Sequence, residues 1–193
     1  MESFYTLQGE GFHTGRAAWF IRLAGCDVGC VWCDVKESWD AALHPLVSIE
    51  ELLRDALQHP ARLAVVTGGE PLMHNLAPLT EFLRTAGFET NLETSGAHPL
   101  SGSWDWICLS PKKFKEPLPE VLSVANEFKA VIYHPSDLNW MKQFLPALPP
   151  DCKLFLQPEW SKAEKISPLL IDFIQENPEW RLSLQTHKYL NIP

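Results

Sequence analysis

The chain has 193 residues, of which 46% are hydrophobic and 21% charged, and this length and composition are typical of one globular domain with a sizeable core. A formal net charge of −8 disfavours nucleic acid bound through a general basic surface, so we expect small-molecule partners and no nucleic acid. The N-terminus lacks a basic region followed by an apolar run, and no apolar stretch approaches the about 20 residues of a membrane span. We therefore expect no membrane partner and a cytoplasmic location.

Near the N-terminus, the stretch Phe4–Gly11 shows no periodicity that indicates a helix or a strand. Taken alone, Phe4–Gly11 would be a frayed arm with Gln8 and Glu10 in solvent. The next segment, Ala17–Leu23, predicts a buried strand. Arg22 lies on that strand, where an unpaired guanidinium is costly, so it either forms an internal ion pair or binds an anionic substrate such as a carboxylate.

A loop with three of the five cysteines follows this strand, at Cys26, Cys30 and Cys33. A cubane iron–sulfur cluster normally takes four thiolates, so three leave one iron open to a small molecule. Core packing, structural zinc and a disulfide framework are the alternatives. Zinc wants four ligands in two pairs, and neither Cys108 nor Cys152 belongs to a second C-x-x-C pair. A disulfide framework needs an oxidising compartment. We interpret Cys108 and Cys152, which lie in or beside apolar strand-like runs, as core residues.

Helices and strands alternate over the rest of the chain. A capping-box pattern, Ser48 with Glu51 three residues later, begins the first helix. Further helices are predicted over 76–85, 118–125, 137–145 and 162–176, and strands over 63–67, 88–93, 104–109, 128–133, 153–157 and 180–184. Strands joined by helices imply right-handed crossovers and a parallel sheet. Because a closed eightfold barrel takes about 250 residues, we expect an α/β fold, an open partial (β/α)6 barrel, in one domain over 1–193.

Polar or glycine-rich segments follow the predicted strands. In such sheets the ligand crevice lies at the carboxyl ends of the strands. In Thr67-Gly68-Gly69-Glu70-Pro71, two glycines let the backbone approach a ligand, and Glu70 is an acceptor for an ammonium group. The other segments are Gly25-Cys26, Glu93-Thr94-Ser95-Gly96, Ser110-Pro111-Lys112, Gln157-Pro158-Glu159 and Gln185-Thr186-His187-Lys188. Their common position predicts one binding crevice.

Two levels of resemblance follow from these motifs. The spacing Cys26-x-x-x-Cys30-x-x-Cys33, with Trp32 before the last cysteine, resembles the cluster loop of the radical S-adenosylmethionine (SAM) superfamily. Gly68-Gly69-Glu70-Pro71 resembles the motif with which that superfamily holds the amino group of SAM. Nearly end to end, the chain is also similar to the 7-carboxy-7-deazaguanine synthase family, through Leu7-Gln8-Gly9-Glu10-Gly11, Arg22, Ala24-Gly25-Cys26, Cys33-Asp34, Thr67 to Pro71, Glu93 to Gly96, Ser110 to Lys112 and the ending Gln185 to Pro193.

That resemblance implies a lyase of the queuosine pathway of tRNA modification. It would convert 6-carboxy-5,6,7,8-tetrahydropterin to 7-carboxy-7-deazaguanine with release of ammonia, using a [4Fe-4S] cluster and SAM. The 5′-deoxyadenosyl radical would act directly on the pterin, so no catalytic side chain is expected. The resemblance also implies a radical SAM barrel, an external one-electron reductant such as flavodoxin or ferredoxin, and a homodimer.

The same resemblance assigns residues to each ligand. Cys26, Cys30 and Cys33 would hold the cluster. SAM would contact Trp32, Cys33, Asp34, Gly69, Glu70, Ser110, Lys112 and Gln157. The pterin would contact Leu7, Gln8, Gly9, Glu10, Arg22, Thr67 and Pro193, with the N-terminal arm and the C-terminal tail closing the site.

One position departs from the family pattern. Directly after the Cys-Asp pair the family usually has a Ser or Thr hydroxyl that binds magnesium, whereas this chain has Val35, which offers no lone pair. Magnesium would have to bind through Asp34, water and substrate, so we expect it to stimulate turnover weakly, or to be dispensable.

Two other functions remain open at this point. A glycyl-radical-enzyme activase belongs to the same superfamily, but its substrate is a protein, so it needs neither Arg22 nor a substrate-binding arm. A non-catalytic iron–sulfur electron carrier would have no use for the Gly68-Gly69-Glu70 segment and should not bind SAM.

Overall fold

The computed structural model describes all of residues 1–193, which form one eight-stranded sheet and its covering helices. The strands are β1 Glu2–Leu7, β2 Ala17–Leu23, β3 Leu63–Gly68, β4 Glu89–Thr94, β5 Trp106–Leu109, β6 Glu127–Ile132, β7 Lys153–Pro158 and β8 Trp180–Leu182. The helices are α1 Ile49–Ala56, α2 Ala77–Thr85, α3 Pro119–Leu122, α4 Asp137–Met141, α5 Ala163–Glu176 and α6 Thr186–Leu190. Short 3-10 turns span Lys36–Ser38, Ala41–Leu43, Pro71–Met73, Lys142–Ala147 and Trp160–Lys162.

The strands follow one another across the sheet in chain order, and every neighbouring pair from β2 to β8 is parallel. The edge strands β1 and β8 do not pair with each other, so the barrel stays open. The predicted α/β fold, an open and mostly parallel partial barrel, is therefore confirmed. None of the helices has both the length and the apolar run needed to traverse a lipid bilayer.

One face of the sheet carries the main hydrophobic core. Alternate strand residues point to this face, as the two-residue period of a strand requires. Ile21, Val66, Leu92, Phe128 and Leu156 are buried there with helix residues such as Leu79, Leu83, Ile166 and Leu170. Burial of this apolar surface positions the crossover helices and leaves the other face of the sheet free for a site.

The opposite face of the sheet is polar. On five strands, the residue after the core residue points to this face. These residues are Arg22 on β2, Thr67 on β3, Glu93 on β4, Lys129 on β6 and Gln157 on β7. All five side chains line the two cavities described below. Parallel strands are usually apolar on both faces, so this alternation marks the face that holds the site.

The N-terminal segment is a strand, and the expectation of a frayed arm is wrong for Glu2–Leu7. β1 pairs antiparallel with β2 along its whole length, from Glu2 opposite Arg22 to Leu7 opposite Ala17. The rings of Phe4 and Phe20 stack at 5.4 Å between centroids. The segment lacks a clean alternation of apolar and polar residues, and its pairing depends on a partner strand that is already in place. Gln8, expected in solvent, is also buried.

The helices match the predicted crossovers except at three places. The helix predicted over 118–125 is confined to α3, Pro119–Leu122. The predicted helix over 137–145 divides into α4 and a 3-10 turn that contains Pro146, whose ring is incompatible with a continuous α-helix. The tail carries α6, which was not predicted. Ser48 caps α1 as expected, since its Oγ accepts a hydrogen bond from the Glu51 amide at 3.2 Å.

Candidate active site

The cysteine loop follows β2. It packs against the start of the loop after β3 and against the loop after β4. Cys30 is buried with Val28 and Ala97, and Cys26 and Cys33 pack against this small cluster. The amide of Cys33 donates to the carbonyl of Cys30 at 3.0 Å, which closes a turn between the two cysteines, and both residues line the cavity described below. All three thiols are free. The loop therefore presents three sulfur ligands from one short segment.

Burial disfavours the thiolate form of two of these cysteines, Cys26 and Cys30. Desolvation raises the pKa of Cys30 to about 11 and also raises the pKa of Cys26. Such thiols ionise when a metal binds them, because a coordinating thiol is deprotonated outright. No group of His, Cys, Asp or Glu side chains is arranged around one point as the ligands of a single metal ion are. The three thiols instead line one cavity, an arrangement that suits an extended cluster.

That cavity, here called the cluster cavity, lies at the carboxyl ends of the strands. All six polar segments that follow the strands contribute to its lining, so the predicted crevice exists. Its lining residues include Cys26, Cys30, Trp32, Cys33, Asp34, Gly68, Gly69, Glu70, Glu93, Thr94, Ser95, Ser110, Lys112, Gln157, Glu159, Gln185 and Lys188. Every residue that the family resemblance assigns to SAM is among them.

The segment after β3 sits directly against the cysteine loop. A side chain at position 69 would collide with the carbonyl of Gly25 and with Cys26 Cβ, so only glycine fits there. The amides of Gly69 and Glu70 donate to the carbonyls of Leu23 and Gly25 at 3.0 and 2.8 Å. These contacts hold the cysteine loop and the glycine segment together on one wall of the cluster cavity.

Glu70 lines the cluster cavity and is also held firmly by the protein. Its side chain is buried, and its carboxylate accepts hydrogen bonds from the Leu72 amide, the Thr94 hydroxyl, and both the amide and the hydroxyl of Ser95. Four such bonds occupy the lone-pair positions of a carboxylate. Glu70 therefore joins the loops after β3 and β4 at the wall of the cluster cavity.

Lys112 is a cation in the cluster cavity without an anionic partner. Its Nζ donates to the carbonyl and the hydroxyl of Ser110 at 2.7 and 2.6 Å, and lies 5.7 Å from the centre of the Trp32 ring. Burial lowers the pKa of Lys112, because desolvation disfavours its charged form. A negatively charged ligand group in the cavity would stabilise this ammonium.

A second cavity, here called the arm cavity, adjoins the first. It contains every residue that the resemblance assigns to the substrate. The lining residues include Phe4, Leu7, Gln8, Gly9, Glu10, Phe20, Arg22, Val35, Thr67, His187 and Pro193. Glu10, Asp34, Thr67, Gly68, Glu93, Gln185 and Lys188 line both cavities. A ligand in one cavity therefore lies next to a ligand in the other.

A buried charge network forms part of this shared wall. Lys129 Nζ donates to Glu10 Oε2 at 2.7 Å and to Glu93 Oε2 at 3.1 Å. Gln8 donates to Glu93, and Gln185 donates to Glu10. Burial alone raises the pKa of Glu10, but the charge and hydrogen bonds of Lys129 and Gln185 outweigh it and hold the pKa at about 2. Burial likewise disfavours charge on Lys129, yet the surrounding acidic groups raise its pKa well above the usual range.

Sequence reasoning missed Lys129 and did not assign a role to Glu93. Their signal was present in the strands themselves, since a charged residue follows a buried apolar one in Leu92-Glu93 and in Phe128-Lys129. A charge inside a predicted parallel strand needs a partner on the same face of the sheet. Only the register of β4, β5 and β6 brings Glu93 and Lys129 to that face.

Arg22 has one anionic neighbour. Its Nε lies 3.1 Å from Glu2 Oε1, but the geometry does not make a hydrogen bond, and the Glu2 side chain is 49% exposed. The guanidinium also lies 5.5 Å from the centre of the Phe4 ring. This is a weak ion pair at the rim of the arm cavity, and it leaves the guanidinium free to bind a ligand carboxylate.

The tail folds back on the N-terminal arm. The amide and the hydroxyl of Thr186 both donate to the carbonyl of Gly9 at 2.9 Å. A side chain at position 9 would collide with the His187 ring, which explains the glycine. Asn191 ends α6 in the left-handed conformation, at φ 54°, and turns Pro193 to the arm cavity. Arm and tail thus form one wall.

Asp34, the residue after the last loop cysteine, contacts the same tail. Its Oδ2 accepts a hydrogen bond from Lys188 Nζ at 2.7 Å. The neighbouring Val35 lines the arm cavity with an aliphatic side chain. At the place where the family usually has a metal-binding hydroxyl, this chain therefore has a hydrocarbon surface next to an ion pair.

Comparison with known proteins gives a consistent result. Residues 20–116 match the Radical SAM superfamily. Curated proteins called 7-carboxy-7-deazaguanine synthase are similar over their whole length: that of Flavobacterium psychrophilum is 52% identical over 100% of this chain and 91% of its own, and that of Escherichia coli K12 is 38% identical over 99% and 97%. The crystal structure of QueE from Escherichia coli superposes with a TM-score of 0.84 at 37% identity, covering 96% of this chain and 92% of that one.

Proposed function

The chain belongs to the 7-carboxy-7-deazaguanine synthase family of the radical SAM superfamily, and from this premise we propose how its residues carry out that activity. As a member it uses a [4Fe-4S] cluster and SAM, acts on a pterin, and makes 7-carboxy-7-deazaguanine for queuosine biosynthesis. We propose 6-carboxy-5,6,7,8-tetrahydropterin as the substrate and ammonia as the second product. The observation that carries the proposal is the pair of adjoining cavities that share one wall.

The residues of the cluster cavity fit the cluster and SAM. Cys26, Cys30 and Cys33 would hold the cluster through three thiolates, one fewer than a cubane cluster normally takes. When bound, the reduced cluster and SAM supply the carbon-centred radical that removes a hydrogen atom from the substrate. The unpaired Lys112 suits the carboxylate of SAM, and the backbone of Gly68 and Gly69 suits its amino group. Trp32, Asp34, Glu70, Ser110 and Gln157 complete the lining.

The residues of the arm cavity fit the pterin. Arg22 would pair with the substrate carboxylate, since its only anionic neighbour, Glu2, is half-exposed and makes no hydrogen bond to it. Glu10 and Glu93, both hydrogen-bonded to Lys129, would accept hydrogen bonds from ring N–H groups. Gln8, Thr67 and the C-terminal carboxylate of Pro193 complete the polar wall. Leu7, Gly9 and the tail would exclude water from the radical chemistry.

Magnesium is the one family cofactor whose ligands this chain does not provide well. Val35 has no oxygen donor, and the neighbouring carboxylate of Asp34 is engaged by Lys188. Magnesium demands near-octahedral oxygen coordination. The residues do not fit the ion, and we assign it no step.

Further properties rest on the family relationship alone. We propose one radical SAM domain over 1–193, closed by the arm and the tail, that works as a homodimer in the cytoplasm. The electron would come from an external donor such as flavodoxin or ferredoxin.

Product analysis tests the function. Anaerobically reconstituted protein, given a reductant, SAM and the carboxypterin, should form 7-carboxy-7-deazaguanine and ammonia in equal amounts. SAM should not be consumed in proportion to product, because the substrate-derived radical recovers its hydrogen atom. A protein that binds cluster and SAM but leaves the carboxypterin unchanged would favour an activase. One that binds no SAM would favour an electron carrier.

A further inference from the structure

We infer that the ammonium of Lys188 occupies the place of a magnesium ion in this chain, bridging the carboxylate of Asp34 and an oxygen of the substrate carboxylate. The inference rests on the proposed function and names a substrate-binding residue that the family resemblance does not. It predicts turnover that needs no divalent cation.

The position of Lys188 is the first support. Asp34 follows the cluster ligand Cys33 directly, and both Asp34 and Lys188 line the cluster cavity and the arm cavity. The ammonium therefore lies at the boundary between the expected SAM and substrate positions. Arg22, the other cation of the arm cavity, lines the same chamber from β2. Together they would place two positive charges around one substrate carboxylate.

The hydrogen-bonding capacity of Lys188 is the second support. An ammonium has three N–H donors, and the contact with Asp34 Oδ2 at 2.7 Å uses one. The side chain is 22% exposed, so its remaining donors have access to the cavity. The Trp160 ring, 5.3 Å away, packs on the ammonium and limits its movement. A fixed cation with free donors can bind an oxygen as a metal ion would.

The anchoring of α6 is the third support. Thr186 binds the carbonyl of Gly9 through two hydrogen bonds, so the helix that carries Lys188 is fixed to the substrate-binding arm. Of the other charges on the shared wall, Glu10 and Glu93 are already paired with Lys129. On that wall, the ammonium of Lys188, held by Asp34, is thus the cation that can meet an incoming anion.

Substrate binding without turnover provides the test. Reconstituted protein with SAM and an oxidised cluster is titrated with the carboxypterin by calorimetry, in metal-free buffer and with millimolar MgCl₂. Wild-type affinity should be the same in both, within about twofold. Lys188→Met should raise the Kd by about 10- to 100-fold in metal-free buffer, the cost of losing a charged hydrogen bond. Its iron content and cluster absorbance should be unchanged, which shows that the variant is folded and loaded.

A double variant separates the cation role from a simple tether of the tail. In Lys188→Met/Val35→Thr the new hydroxyl and the freed Asp34 offer magnesium two ligands. MgCl₂ should therefore lower the Kd of this double variant for the carboxypterin by at least about tenfold. If Lys188 only tethered the tail to Asp34, magnesium would not restore the affinity for the carboxypterin. Val35→Thr alone should show little response, since Lys188 still holds Asp34. Lys36→Met is the matched control. It removes the same charge at a nearby position that lines neither cavity.

The outcomes are distinguishable. Equal substrate affinity in wild type and Lys188→Met, tightening of the wild type by magnesium, or a double variant that magnesium does not restore would each overturn the inference. Wild-type protein that binds SAM but not the carboxypterin would overturn the proposed function as well. If Lys188→Met fails to hold the cluster, Lys188→Gln serves as the second variant with the same expectations.

Discussion

At the scale of single residues, the site depends on groups whose charge the protein leaves uncompensated. Lys112 and Arg22 are cations without a hydrogen-bonded carboxylate, and each lies in a different cavity. Glu70 is the opposite case, an anion whose carboxylate accepts four hydrogen bonds from the loops after β3 and β4. The cations without a carboxylate partner are therefore the groups with which we expect an anionic ligand to pair.

The first prediction concerns Cys30, the most buried of the loop cysteines. Cys30→Ala removes one of three thiolates from a cluster that has no fourth protein ligand nearby, so reconstituted protein should lose most of its about four irons. Iron and sulfide analysis with the visible spectrum measures this. Cys152→Ala, outside both cavities, should keep the full iron content. Full iron in Cys30→Ala would point to a different ligand set, for example one with Cys108.

The second prediction concerns Arg22. Arg22→Lys keeps the charge but loses the planar fork that matches a carboxylate, so kcat/KM for the carboxypterin should fall by about 10- to 100-fold. Reductive cleavage of SAM without substrate should persist, and the cluster should be intact. Glu2→Gln is the control, because it removes only the weak partner of Arg22. An Arg22→Lys protein that is merely less stable, with normal kcat/KM, would show that the ion pair is structural.

At the scale of elements, the arm and the tail build one wall from opposite ends of the chain. The arm contributes Gly9 and Glu10, and the tail contributes Gln185 and Thr186, which hydrogen-bond to them. Helix α6 has only the five residues Thr186–Leu190 and would not be stable alone. Its stability comes from packing, including the contact of Tyr189 with Trp160 at 5.1 Å between ring centroids.

The third prediction follows from the position of the chain end. Adding a few residues after Pro193 moves the terminal carboxylate away from the arm cavity, so KM for the carboxypterin should rise about tenfold or more. SAM affinity should not change, because the cluster cavity does not include Pro193. Steady-state kinetics and SAM titration give the two values. Pro193→Ala keeps the length and the carboxylate, and its smaller effect would separate the carboxylate from the ring. Unchanged kinetics in the extended protein would remove the tail from substrate binding.

At the scale of the whole molecule, the Lys129 network connects distant parts of the fold. It joins the arm through Glu10, β4 through Glu93 and β6 through Lys129 itself, and Gln185 adds the tail. Such a buried group is stabilising only while every member is paired, because removing one partner leaves a buried charge. The network therefore couples the closure of the site to the stability of the sheet.

The fourth prediction is a pH dependence of that stability. The pKa of Glu10 is about 2 in the folded protein and 4.5 in the ordinary case, so its contribution is fully present above pH about 4.5 and is lost as pH falls toward 2. By linkage the contribution amounts to about 3 kcal/mol. Denaturation midpoints of wild type and Glu10→Gln, measured in parallel from neutral pH to about pH 3, should converge on acidification. A constant difference between the two proteins would contradict it. Both proteins carry the same cluster, so its sensitivity to acid affects both midpoints equally and cancels in their difference.

The sequence alone determined the features whose residues are close together in the chain. The three cysteines lie within eight positions, so their spacing suffices to predict a cluster loop. The alternation of strands and helices has a local period, and right-handed crossovers then place the ends of the parallel strands at one edge. For this reason the crevice with its six polar segments, the open barrel and most of the lining residues could be predicted.

Only the tertiary structure decided what depends on register and on partners far apart in the chain. β1 forms a strand because it pairs with the free edge of β2. The hydrophobic pattern of residues 2–7 does not indicate this. Glu93 meets Lys129 through the pairing of three strands, 36 positions apart, and Asp34 meets Lys188 across 154 positions. Spacing along the chain carries no information about such contacts, because burial and strand register, which fix them, exist only after the sheet has formed.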